Sequence, residues 1–139
     1  MARMEMQAAD EIVAMMRQIG EEACGDVARR MVEAGAEEVK KAWKATAEKY
    51  GFVDSGEMIA SIGSSAKDTG ASGAIYRDIY PQGKDSKTGV RNAEKAFLLH
   101  YGTSAIKASY WVDEADEAAE APMTEAMVRV WDEFLKTRT

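Results

Sequence analysis

The most constraining feature of this chain is a very long helical pattern near its start. Over residues 8–50, apolar side chains recur every three to five positions: Ile12, Met16, Ile19, Ala23, Val27, Met31 and Ala34, then less regularly Val39 and Trp43. That spacing marks one face of an amphipathic helix. Glu, Lys, Arg and Ala fill the other faces, and all favour helix. Gly51 is a natural stop, since glycine readily takes the left-handed conformation that closes a helix. Unbroken, such a helix runs roughly 60 Å at about 1.5 Å per residue. A domain of this size has a diameter of only about 37 Å. The helix must therefore bend or project, and a projecting amphipathic end needs a partner for its stripe. Gly20, Gly25 and Gly35 each weaken a helix by about 1 kcal/mol relative to Ala. The sequence thus predicts a break near residues 20–25, with the N-terminal piece left for assembly.

The remaining chain alternates short elements with polar connections. Asp54 is placed as an N-cap and Glu57 as its capping-box partner, opening a helical turn over 56–60. Residues 61–66 and 74–80 read as short strands, the second alternating around Ile75, Arg77 and Ile79. The Gly-, Ser- and Thr-rich residues 68–73 form the turn between them. Residues 81–92 read as a long, mobile polar loop. Only Val90 offers apolar burial after Pro81, against about 1–2 kcal/mol per residue of backbone ordering. Residues 94–101 read as the principal strand. Phe97, Leu99 and Tyr101 would face one side and Ala96, Leu98 and His100 the other, as in a strand covered on both faces. Residues 111–136 carry a helical stripe of Val112, Ala115, Ala119, Met123, Met127, Val130 and Phe134. Pro122 falls inside it and predicts two helices or one kinked helix. The expected fold is a single α+β domain. It has a helical arm over 1–50, a sheet region over 51–110 with three or four antiparallel strands and the mobile loop 81–92, and a C-terminal helix over 111–139.

Charge and composition narrow the function. The chain of 139 residues has a formal net charge of −6, from 18 basic and 24 acidic residues. An acidic domain lacks the clustered Lys and Arg that phosphate contact requires, so sequence-specific nucleic-acid binding is not expected. The charge is uneven. Residues 66–107 hold Lys67, Arg77, Lys84, Lys87, Arg91, Lys95 and Lys107 against Asp68, Asp78, Asp85 and Glu94. Opposite-sign surfaces on one small protein favour head-to-tail association. The lone Cys24 cannot form an intrachain disulfide, which suits a reducing compartment. No apolar run approaches the roughly 18 residues of a membrane span, so no membrane partner is expected. The acidic start of the chain does not read as a secretory signal.

Catalytic patterns are missing. One histidine and one cysteine fall short of the three or four ligands of most zinc sites. Cys24 and His100 are far apart in sequence, and there is no P-loop, GxGxxG or GxSxG segment. Asp113, Glu114, Asp116, Glu117 and Glu120 form an acidic run, and Asp113, Glu117 and Glu120 share a helical face able to hold a divalent cation. The simpler reading is a solvated helix start, where acidic residues are favoured by about 0.3–1 kcal/mol each. His100 reads as a packed or interface histidine. Tyr110 and Trp111 read as core or contact aromatics. No cofactor, metal site or catalytic residue is expected.

Two segments resemble one family. Ser55-Gly56-Glu57-Met58-Ile59-Ala60-Ser61-Ile62 resembles the T/S-G-x-L-x-x-S-I segment of the tail-completion, or neck, proteins of lambdoid-type siphophages. The segment from Phe97 to Ala115 resembles that family's apolar strand ending in Glu-Tyr-Gly-Thr, with its small-residue turn and A-x-P-F-h-x-P-A continuation. Tyr101-Gly102-Thr103-Ser104 matches, and Ala108, Trp111, Val112 and Ala115 fit. His100 stands for the acidic residue, and Tyr110 and Glu114 stand for the two prolines. The resemblance implies a structural phage or prophage protein of the head–tail junction or tail completion. It implies no cofactor, a homo-oligomeric ring and contacts with other neck or tail proteins. It also implies residence in the virion, after assembly in the host cytoplasm. The motif residues Ser55, Gly56, Ser61, Ile62, Tyr101, Gly102 and Thr103 are architectural. The candidate interface residues are Lys84, Lys87, Arg91, His100, Tyr110 and Trp111. Two other classes remain open: a cytosolic adaptor or regulatory module that binds a partner through the long helix, and a hydrolase using a metal on the acidic run.

Overall fold

The structure, a computed structural model, describes residues 2–52, 56–65 and 75–138. Its order is α1 (Ala2–Glu22), a π turn (Ala23–Val27), α2 (Ala28–Tyr50), α3 (Gly56–Ala60), β1 (Ile62–Ser64), β2 (Ile79–Pro81), α4 (Asn92–Tyr101) and α5 (Trp111–Arg138). The protein is mostly helical, with one small antiparallel sheet.

The predicted break near residues 20–25 does not occur. Glu22 and Ala28, which flank the π turn, both hold right-handed helical dihedrals, and the Ala28 N–H bonds to the Ala23 carbonyl. The chain continues as helix through Gly20 and Gly25. A π turn closes i→i+5 bonds and is wider than an α turn. It accommodates the spacing of four from Ala23 to Val27 to Met31, which 3.6 residues per turn would carry off the stripe. Gly51, at φ 61°, ends α2 as expected, and its N–H bonds to the Glu48 carbonyl.

α2 and α5 form the backbone of the fold, packed antiparallel. Lys49 meets Glu114, Trp43 meets Asp116, and Gly35 lies beneath Met123 and Met127. A Cβ on Gly35 would sit 3.1 Å from Met123 Cγ and 3.2 Å from Met127 Sδ. Gly35 therefore lets the two helices approach closely, where the sequence alone marks it only as a helix weakener. α5 is a single helix through Pro122. Its predicted stripe is seen, with Ala115, Ala119 and Phe134 buried and Val112, Met123, Met127 and Val130 half-buried.

The core lies where the end of α2, α3, β1, α4 and the start of α5 converge. Ala47, Met58, Ile62, Ala96 and Trp111 are buried there, with Trp43, Phe52, Ile59, Ile79, Leu99 and Val112 packed around them. Trp43 and Phe52 meet the Trp111 ring edge-on, at 5.5 and 6.0 Å between centroids. That arrangement suits aromatic quadrupoles.

Two strand assignments change. Among the described residues the sheet has two strands, not three or four, paired antiparallel as Ile62↔Pro81, Gly63↔Tyr80 and Ser64↔Ile79. Of the expected 74–80 strand only Ile79 and Tyr80 lie in the ladder, and Ile75 to Asp78 lie outside it. The expected 94–101 strand is helix α4. An apolar run this short has no decisive period. Burial resolves it: Asn92, Ala96 and His100, at a spacing of four, face inward, while Phe97 and Tyr101 face out. The expected cap at Asp54, the motif residue Ser55 and the turn at 68–73 lie outside the described residues.

Candidate functional site

The corner between α4 and α5 is built from backbone geometry. Gly102, at φ 80°, follows α4, and its N–H bonds to the Leu98 carbonyl. A Cβ at this position would lie 2.6 Å from Ala108 N and 2.7 Å from Ile106 O. Only glycine fits both the dihedral and the space. Thr103 Oγ1 accepts hydrogen bonds from the Ala105 and Ile106 N–H groups, and the Thr103 N–H bonds to the Ile106 carbonyl. The chain then folds back along α4, with the Ser109 N–H on the Leu99 carbonyl and the Tyr110 N–H on the His100 carbonyl. These bonds satisfy carbonyls that a helix end otherwise leaves free.

His100 belongs to this corner. It is buried, and its Nδ1 accepts the Val112 N–H at 3.3 Å, so its imidazole caps the first turn of α5. Its ring stacks edge-on against Tyr101 and Tyr110, at 4.6 and 5.3 Å. Tyr110, at φ 53°, is the one non-glycine residue with positive φ among those described. The tight reversal into α5 holds it there, and its ring projects outward. Trp111 is fully buried, with Nε1 donating to the Ala96 carbonyl at 3.3 Å. The expectation that Trp111 offers a contact surface is therefore corrected: it is a core residue, while its neighbour Tyr110 is exposed.

Beside the corner lies a groove of about 280 Å³, lined chiefly by Trp43, Tyr80, Pro81, Phe97, Tyr101 and Val112. Phe97, Tyr101 and Tyr110 are 54–59% exposed, and Phe97 and Tyr101 rings lie 4.7 Å apart. The sequence missed this face because it set Phe97 and Tyr101 on a buried strand. A larger, more open groove of about 740 Å³ runs between α2 and β1, past Arg30, Glu33, Ser65 and Arg77. Its arginines already have carboxylate partners, Arg77 on Glu33 at 3.1 Å and Arg30 on Asp26 at 3.3 Å.

Residues 81–92 form a tied turn in the structure, anchored by polar groups and not by Val90. Asp85 is buried, and its Oδ1 accepts the Lys87 N–H at 2.7 Å and the Thr88 N–H at 3.1 Å. Its Oδ2 pairs with the Lys95 ammonium. The Lys95 ammonium foremost, then the two backbone N–H groups, lower the Asp85 carboxyl to a pKa of about 2. Glu57 accepts both the N–H and the hydroxyl of Ser86, and the Asn92 amide donates to the Gln82 carbonyl. Lys84 and Arg91 face each other in an isolated antiparallel bridge, and with Lys87 they stay exposed. The structure thus groups the three basic candidates on one turn that leads into α4.

The acidic run is divided by role. Asp116 accepts Trp43 Nε1 at 2.7 Å, and Glu114 accepts the Lys49 ammonium at 2.5 Å. Lys49 first, then the Tyr50 hydroxyl, hold Glu114 below the usual carboxylate range, and Glu114 raises Lys49 in turn. These two acids clamp α5 to α2, a role hidden from sequence because each partner lies far away in the chain. Among the described residues, no group of three or more His, Cys, Asp and Glu side chains is arranged to hold a metal ion. Cys24 is exposed on the π turn, roughly 28 Å of helix from Trp43 at about 1.5 Å per residue, and so far from His100. Ser61 Oγ donates to the Met58 carbonyl and Ile62 is buried, so this motif pair closes α3 and enters the core. No described helix is long and apolar enough to cross a membrane.

No known family model, curated protein or solved structure matches the chain.

Proposed function

We propose that this chain is a structural assembly protein, a tail-completion or head–tail joining component of a tailed phage or prophage that works in a ring of identical copies. The observation that carries the reading is α1. It extends the amphipathic pattern of α2, but among the described residues its only substantial packing is on the π turn that continues it. Ile12, Val13, Met15 and Met16 on it are 51–66% exposed. A row of exposed apolar side chains of this kind marks a site of interaction with a partner. The described motif residues are architectural, as that reading expects, while the segment matched to the family's apolar strand is helix α4 here. Gly102 and Thr103 shape a corner, and Ser61 closes α3.

The test is the mass of the purified chain by light scattering from low to high micromolar concentration. The expected result is a multimer of defined copy number. A strict monomer that binds an unrelated protein through α1 would instead make the chain an adaptor.

A further inference from the structure

The exposed stripe of α1 and the aromatic groove beside α4 are two uncovered apolar surfaces among the described residues, and they lie at opposite ends of the molecule. The helix is continuous from Ala2 to Tyr50 through the π turn. Roughly 45 Å of helix axis separates Ile12 from Trp43 at about 1.5 Å per residue. The rigid helix therefore cannot fold its own arm into its own groove.

Resting on the assembly reading above, we infer that α1 of one copy seats its Ile12, Val13, Met15 and Met16 face in the groove of the next copy, against Phe97 and Tyr101. Three observations select a second copy as the occupant. The surfaces match in chemistry: flexible methionines and branched aliphatic side chains meet exposed aromatic rings, and sulfur–aromatic contacts are favourable. Their charges are partly complementary: α1 carries Asp10, Glu11, Glu21 and Glu22 against Arg17, while the turn that leads into α4 exposes Lys84, Lys87 and Arg91 and the groove itself holds Asp113. Their placement at opposite ends makes the contact head-to-tail. A heterologous contact of this kind repeats until it closes into a ring or grows as a filament. An arm-to-arm pairing would bring like charges together and leave the groove uncovered.

The test uses two variants of the full chain, an arm variant with Ile12→Glu and Met16→Glu and a groove variant with Phe97→Glu and Tyr101→Glu. All four positions are more than half exposed, so both variants should keep the wild-type helical signal and thermal midpoint. Each alone is expected to self-associate at least about tenfold more weakly. Mixed in equal amounts, they should form a one-to-one dimer, because one supplies an intact arm and the other an intact groove. That dimer should weaken with salt, since exposed charges are screened over about 8–10 Å. A second measurement does not depend on the charge changes: Met16→Cys and Tyr101→Cys placed on separate copies, in a Cys24→Ser background, should crosslink under mild oxidation. If the wild type forms multimers and the groove variant does so equally well, or if neither the mixture pairs nor the cysteines crosslink, the inference fails while the assembly reading stands. If the wild type is monomeric throughout, the assembly reading itself fails and the inference with it.

Discussion

α1 and α2 are one continuous helix with one apolar pattern, yet they have opposite fates. Along α2, Gly35, Ala36, Thr46 and Ala47 are buried and α5 lies over them for most of its length. Along α1, residues of equal or greater hydrophobicity stand in solvent. Periodicity reports that a face requires cover; it carries no information on which chain supplies the cover. The α2 face is closed within the molecule because α5 returns antiparallel alongside it. α5 ends near the π turn, so the same stripe runs on past its partner.

The largest expected effect breaks the covered side of this comparison. Trp111→Ala removes the ring that Trp43 and Phe52 pack against and leaves a cavity at the junction of α2, α4 and α5. A loss of about 3–5 kcal/mol is expected from buried aromatic truncation, read by chemical denaturation. A loss under about 1 kcal/mol would mean that the junction is not the principal core.

Gly102→Ala should follow in size. It forces a Cβ into the Ala108 backbone at a positive φ, and strain of roughly 1–3 kcal/mol is expected. The readout is a lower midpoint of thermal unfolding, and Gly102→Asn should fare no better, because φ 80° with ψ 175° lies outside the left-handed region that Asn tolerates. Equal stability of the alanine variant would show that the corner is free to rearrange.

Acid provides a third probe, directed at the polar anchor of the 81–92 turn. The folded-state pKa of Asp85, about 2, lies below the ordinary value of 3.8. Its contribution is therefore complete above about pH 4 and is lost as pH falls through 4 towards 2. Asp85→Asn should lower stability at neutral pH and flatten the acid limb of the stability curve over that window. An unchanged acid limb would remove Asp85 from the folding linkage.

The smallest effect is expected on the arm. Met16→Ser at low concentration should change stability by no more than about 0.5 kcal/mol, because no native contact is lost. In the same protein, α1 amides should exchange hydrogen faster than those of α2. Protection of α1 equal to that of α2 in a dilute sample would mean that it is covered within one molecule after all.

The helices were legible in the sequence wherever the pattern was long. The Ala2–Tyr50 helix and α5 extend over many turns, so the 3.6-residue period accumulates and Gly51 marks its stop. Residues 94–101 were not legible as helix, because alternation and helical spacing agree equally well over two turns. One local signal did point the right way: Asn92–Tyr101 contains no Val, Ile or Thr, the β-branched residues that favour strands. The basic turn was visible as charge but not as structure, since Asp85 is held by Lys95 and by backbone N–H groups that no periodicity reveals. Of the contact candidates, Tyr110 is exposed and Trp111 is buried, although they are adjacent and both aromatic.

What the sequence determined by itself was the location of the long helices, the Gly51 stop and the Trp111 start, and the presence of more apolar helical face than one small domain can cover. These follow from local propensity and period, which each residue carries wherever the chain goes. Tertiary structure decided which part of that face is covered, that α4 coils and the sheet stops at two strands, and that Phe97 and Tyr101 stand outside while Trp111 lies within. Those outcomes depend on contacts between residues far apart in the chain, such as Trp43 with Trp111 or Gly35 with Met123. Such contacts exist only once the elements have packed, because burial is a property of the packed neighbours and not of the residue.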